Sequence, residues 1–273
     1  MSAPGVGRPT EYLEGGRAIV EALAAAAGAG RTGTAWLMGG NVGSLYFRNG
    51  LVVGAELEGA AWVRTMLVNS GRLSPEAWHD FARDGPGGRP EPPPPMPDAV
   101  GLGAAEWAVL SREAIVEAAF ELLPPSRPEV AADMVFQPDD IPAWTASGDP
   151  VEFVWLRREM DRRQSVLDRL RAVVTPESTI ARMPAERIGP VQVSAPQWRL
   201  LSALSDGATP RSVARRLGAG VFATTILTVQ LMRLGMVGRR DRSGVWQPPA
   251  QAFPRALFGV APAAAGGAAT PRG

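Results

Sequence analysis

The chain has no cysteine and no lysine, and only one histidine among its 273 residues. Without cysteine it carries no disulfide framework, no thiol nucleophile and no zinc–thiolate site. Without lysine it has no P-loop lysine, no Schiff base and no kinase-type lysine; all 28 basic residues are arginine. The one histidine, His79, falls in an expected surface helix ending near Phe81. That leaves no base for a serine or cysteine triad and no multi-histidine metal site. No apolar run reaches the length of a membrane span, and residues 1–10 lack the charged-then-apolar pattern of a secretion signal. The protein is therefore expected in the cytoplasm and away from membranes.

The residues that are present do not restore a catalytic centre. Gly28-Ala29-Gly30-Arg31-Thr32-Gly33 fits G-x-G-x-x-G, but a dinucleotide fingerprint needs a strand before it and a helix after it. Here an alanine-rich helix over 17–27 precedes and a strand follows, so the segment reads as a helix stop. Asp139-Asp140 sits between Pro138 and Pro142 as a hydrated turn, with no partner carboxylate brought to it. No catalytic residue, cofactor or metal-ligand set is expected.

The first half is organised around a hairpin. Thr34–Met38 and Gly43–Arg48 alternate as strands, Asn49-Gly50 is the favoured type I′ turn pair, and Leu51–Glu56 returns as a third strand. Helices are expected over 59–69 and from the Ser74-Pro75 cap onward. Residues 86–98, with four consecutive prolines, read as a stiff linker, and residues 1–10 and 248–273 as disordered ends. Beyond the linker, residues 99–189 form a mainly helical second half of the body, with a helix from about Ala104 to Leu123 and a strand near Val130–Phe136. A long amphipathic helix spans Val151–Val174, its stripe of Phe153, Leu156, Met160, Leu167 and Leu170 interrupted by Arg163. That stripe serves either packing within its own domain or a protein interface, including a short homodimer seam.

Residues 190–247 have the plan of a winged helix-turn-helix. Val191–Val193 alternates like a short strand, and Ser194-Ala195-Pro196 opens a helix ended by Asp206-Gly207. Thr209 caps a second helix with Pro210 at its first position, Gly218 stops it, and a third runs from Val221 to Leu234. A two-strand wing follows at Met236–Arg240 and Val245–Gln247. Over 190–246 there are eight arginines and two acids, a net of +6, against −7 for residues 1–189. If nucleic acid is the ligand, Arg211, Arg215, Arg216, Arg239, Arg240 and Arg242 meet phosphates. Base reading then falls to Thr224, Thr225, Thr228 and Gln230 of the third helix.

In order along the chain, several segments resemble one family. Gly33–Leu37 with Leu45–Ala55 resembles the start of the PatA-like N-terminal (PATAN) domain, a bacterial signalling module, and Glu113–Leu123 and Glu159–Arg163 continue the likeness. Gln197–Leu201 with Asp206–Ala214 resembles the winged-helix extension found behind such domains. The resemblance covers about residues 16–240. It implies an adaptor role in bacterial signalling, with a small Ras-like GTPase or a roadblock-type protein as partner, and it supplies no catalytic residues.

The expected fold class is therefore α+β, a small antiparallel hairpin sheet with packed helices followed by a winged helix-turn-helix. The leading functional expectation is a non-enzymatic cytoplasmic signalling adaptor acting through protein–protein interaction. The alternative is a DNA-binding transcriptional regulator.

Overall fold

The computed structural model describes residues 11–14, 16–58, 62–69, 71–77, 101–124, 131–142, 145, 149–184, 191–240 and 246–247. The linker over 86–98, both chain ends and His79 lie outside the described residues. The fold is mixed α and β. A six-stranded sheet runs in the order β1-β5-β2-β3-β4-β6 with every neighbouring pair antiparallel. Its strands are β1 (Glu11–Glu14), β2 (Gly33–Gly39), β3 (Gly43–Arg48), β4 (Leu51–Leu57), β5 (Ala131–Pro138) and β6 (Val151–Glu152). The helices α1 (Gly16–Gly28), α2 (Trp62–Asn69), α3 (Ala104–Leu122) and α4 (Phe153–Leu170) complete this body. Among the described residues no helix is long and apolar enough to cross a membrane.

Strand periodicity decides which face is covered. Ala35 and Leu37 of β2, Leu45 and Phe47 of β3, and Met134 and Phe136 of β5 all point into one core, while Trp36 between the first two is exposed. Helix α1 adds Ile19, Leu23 and Ala26 at helical spacing, and it stops at Gly28 before the chain enters β2. The helix–loop–strand order of the glycine motif is thus the reverse of a dinucleotide fingerprint.

The β3–β4 turn has the expected positive φ at both central residues, 52° at Asn49 and 80° at Gly50. Gly50 is required twice over, since a Cβ there would lie 2.2 Å from the Ala27 carbonyl oxygen. Gly30 also has positive φ, at +65°, but its Cβ position is open. Gly50→Ala is expected to cost about 2–5 kcal/mol, from left-handed strain plus overpacking. Gly30→Ala should cost only the strain, about 1–2 kcal/mol. Urea unfolding of both variants checks this, and equal losses would show that the close approach to α1 contributes nothing.

The second half of the body contributes α3 and α4 and also two strands of the sheet: β5 inserts between β1 and β2, and β6 pairs with Leu51 and Val52. Two expectations are corrected by the structure. Val191–Val193 is not a strand; a small three-stranded sheet is completed instead by β7 (Ile180–Arg182), which pairs with β8 (Val237–Arg240), and β8 pairs with β9 (Trp246–Gln247). Finally, Phe153, Leu156, Met160, Leu167 and Leu170 form no outward protein interface, since all five are buried inside this chain. The first four enter the core of the body. Leu170, with Val173 and Val174, enters a second core beneath the C-terminal helices.

Candidate functional site

The C-terminal helices are α5 (Ala195–Ala203), α6 (Pro210–Leu217) and α7 (Val221–Arg233). Their ends follow local chemistry. Ser194 and Gln197 cap each other reciprocally at the start of α5. Thr209 and Ser212 do the same for α6, with Pro210 at its first position, and Gly218 ends it at φ 61°. Helix α7 begins after Gly220, whose lack of a side chain leaves the helix without a cap of its own.

The body supplies that cap. A Cβ on Gly220 would lie 2.1 Å from Glu117 Oε1, so the α3 carboxylate sits directly against the start of α7. The Phe222 backbone N–H favours its charged form. Two residues earlier in the chain, Gly218 approaches α2 so closely that a Cβ would meet Thr65 Cγ2 at 2.6 Å. The connection from α6 to α7 is thereby pinned between α2 and α3.

Around this contact lies a buried ionic cluster. Arg163 of α4 donates Nη1–H to Glu117 at 2.6 Å, Nη2–H to Glu113 at 2.9 Å and Nε–H to Glu159 at 2.8 Å. Its planar fork suits this division among three carboxylates. The Phe222 ring packs beneath the guanidinium groups of Arg163 and Arg162, at 5.2 and 5.8 Å. One turn further along α3, Glu121 accepts from Arg211 and, at 3.5 Å, from Arg215, while Arg211 also donates to Glu177 at 2.6 Å. An open cleft of about 1420 Å³ runs past Glu113, Glu117, Arg163, Trp198, Phe222 and Leu227.

Burial pushes the Glu117 carboxyl up to about 7, against the pull of Arg163 and with help from the charges of Glu113 and Glu121. Arg163 is held above its ordinary value: desolvation acts downward, but Glu117, Glu159 and Glu113 outweigh it. A carboxyl raised in the folded state stabilises the fold when protonated. Its contribution is complete below the unfolded value near 4.5 and is lost as pH rises to about 7. That interval corresponds to about 3 kcal/mol. Relative to Glu117→Gln, the wild-type protein should therefore lose about that much stability between pH 4.5 and 7.5. Urea titrations across this range test it; parallel curves for the two proteins would refute the assignment.

The sequence-derived candidates fall on this junction, though not as a groove reader. Thr224, Thr225 and Thr228 are buried, and the last two donate their hydroxyls back to the Val221 and Thr224 carbonyls. Gln230 is half-buried and accepts from Gln197 at 3.1 Å. Of the thirteen residues of α7 only Ala223 and Arg233 are exposed, so the expectation of a base-reading face is corrected. Arg211 is drawn between the carboxylates of Glu121 and Glu177, and Arg215 reaches Glu121 at 3.5 Å while staying exposed. Arg216 donates to the Ala203 carbonyl at 2.6 Å and Arg239 to the Ala172 and Val173 carbonyls at 3.4 Å. Arg240 ends β8 on the exposed side, and Arg242 lies outside the described residues.

Sequence reasoning passed over Glu117 and Glu121 as functional residues. The signal was available: Glu113, Glu117 and Glu121 repeat every four residues along 113–122, a stretch of the helix that is otherwise alanine, isoleucine, valine, phenylalanine and leucine. Arg163 likewise occupies the apolar stripe of α4, where an unpaired charge is intolerable. Compared with known protein families, characterised proteins and solved structures, the chain matches none of them.

Proposed function

We propose that the protein is a non-enzymatic cytoplasmic signalling adaptor, with a PATAN-like body and a winged helix-turn-helix retained as a protein-docking unit. The observation that carries this reading is the seating of the start of α7, the end that would have to enter a nucleic-acid groove, against the body: Val221 enters the body core and Gly220 abuts Glu117, while Val229, Leu231 and Met232 fill the module's own core. A recognition helix needs a free face with donors and acceptors at its amino-terminal end. Here that end abuts Glu117, and the Thr225 and Thr228 hydroxyls bond within the helix. The module's basic side chains support the same reading, because Arg211, Arg215, Arg216 and Arg239 bond to groups of this chain.

The second reading, a DNA-binding regulator, is favoured by the net +6 of residues 190–246, and it requires α7 to leave the body. Selection of genomic fragments by the full-length protein at roughly 0.15 M salt separates the two, because phosphate-only binding is largely screened there. The adaptor reading expects no shared sequence motif and a specific protein recovered in a parallel pull-down. A recovered DNA motif overturns it.

A further inference from the structure

The docked arrangement presents a carboxylate-bearing helix on a cationic surface. The surface consists of the Arg211 and Arg215 guanidinium groups on α6 and the uncapped start of α7. Its occupants, Glu121 and Glu117, come from a single helix and lie four residues apart, with Glu113 four residues before them. Residues at that spacing share one helix face, so the seated group is itself a template for what the surface accepts.

We propose that this contact is a competable latch, in which Glu117 and Glu121 hold the C-terminal module closed and an acidic helix of a protein partner takes their place. The inference rests on the adaptor reading and adds to it the chemistry of the partner and the contact the partner must displace.

Three features make the contact displaceable. First, it is mostly polar: of the C-terminal helices, only Ala214 and Val221 contribute fully buried residues to the core of the body. Interfaces of that character within a chain permit relative motion. Second, the occupants are incompletely bonded, since Glu117 Oε2 and Glu121 Oε1 are buried without a hydrogen-bond partner among the described residues. An ionised carboxylate accepts several hydrogen bonds, so a partner free to adjust its position can use the surface more fully than α3 does. Third, an open cleft reaches the Glu117 and Gly220 side of the junction and another is lined by Glu121, Glu177 and Arg211, so both are accessible without prior unfolding.

The observations favour an acidic helix over nucleic acid. Release frees the charge of Arg211 and Arg215, but the Thr225 and Thr228 hydroxyls remain bonded to α7's own carbonyls, so neither becomes free to read a base.

The test uses the full-length protein and an alanine-based helical peptide with Glu at i, i+4 and i+8, its Gln counterpart serving as control. Glu121→Gln removes one latch charge with little change of shape. Glu177→Gln is a milder second variant on the exposed rim of the same cluster. Apparent affinity scales with the released fraction, so Glu121→Gln should bind the Glu peptide roughly tenfold tighter than wild type, with Glu177→Gln between them. Amide exchange at the start of α7 should rise in the free variants and fall when peptide is added. Adding Arg211→Gln to Glu121→Gln should abolish the gain.

Equal affinities for wild type and both variants would overturn the latch while leaving the adaptor reading intact. So would binding of the Gln control as well as the Glu peptide. Preferential, sequence-specific capture of duplex DNA by Glu121→Gln would overturn both.

Discussion

Replacing Arg163 by methionine is expected to lower the unfolding free energy by about 3–5 kcal/mol, read as a fall in the urea midpoint at neutral pH. The side chain is only 6% exposed and its guanidinium serves Glu113, Glu117 and Glu159 at once. Methionine keeps much of the apolar stem but strands Glu117, whose own side chain is 3% exposed, without its counter-charge. The loss comes chiefly from the partners left behind: Glu117, already raised to about 7 with Arg163 in place, takes up a proton, and Glu113 and Glu159 lose their shared donor. Adding Glu117→Gln to Arg163→Met should therefore recover part of the stability, giving a clear coupling term in a double-mutant cycle. A loss below about 1 kcal/mol for Arg163→Met, the range of an exposed pair, would mean that the cluster is solvated in solution.

Leu156→Ala is the second large effect. Leu156 is fully buried where α4 crosses the body core, next to Phe153 and Met160 on the same stripe. Truncation there should cost about 2–5 kcal/mol of stability, the usual range for a buried leucine, and leave the oligomeric state unchanged. Chemical denaturation and sedimentation of the same variant check both halves of the statement. Unaltered stability together with loss of a dimer would instead return this stripe to an intermolecular seam.

The two predictions meet in α4. Its apolar positions carry it from the core of the body to the second core, while Arg163, set within the same stripe, holds the cluster beside α7. The helix thus both packs the sheet and sets where the C-terminal module sits. Opposite charges of the two regions, −7 and +6, are partly spent on each other through Glu121 with Arg211 and Arg215. A basic module on an acidic body suggests a nucleic-acid footprint when only composition is visible; the structure turns part of that footprint inward.

Some expectations shifted because they depended on partners far away in the chain. Strand β1 has the sequence Glu-Tyr-Leu-Glu, too short to show a period, and exists because β5 offers it an edge. Strand β7, Ile180–Arg182, likewise has its place because β8 lies beside it and because Arg182 donates to the Leu201 carbonyl at 2.8 Å. Val191–Val193 has a better alternating pattern but no strand to pair with. The stripe of α4 was legible as apolar from its spacing alone. Whether it faced a partner or its own sheet was not, because both bury the same residues.

By itself the sequence determined the local punctuation of this protein. Asn49-Gly50 sets a turn, Ser194 and Thr209-Pro210 start helices and Gly218 ends one, because each depends on backbone groups within a few residues. Only the tertiary structure decided the insertion of β5 between β1 and β2, the seating of the start of α7 and the destination of the arginines. The last of these rests on contacts between residues 46 and 90 positions apart, Arg163 with Glu117 and Arg211 with Glu121. A charge in a sequence has no direction; it acquires one when folding removes water from one side of it and leaves particular carboxylates within reach.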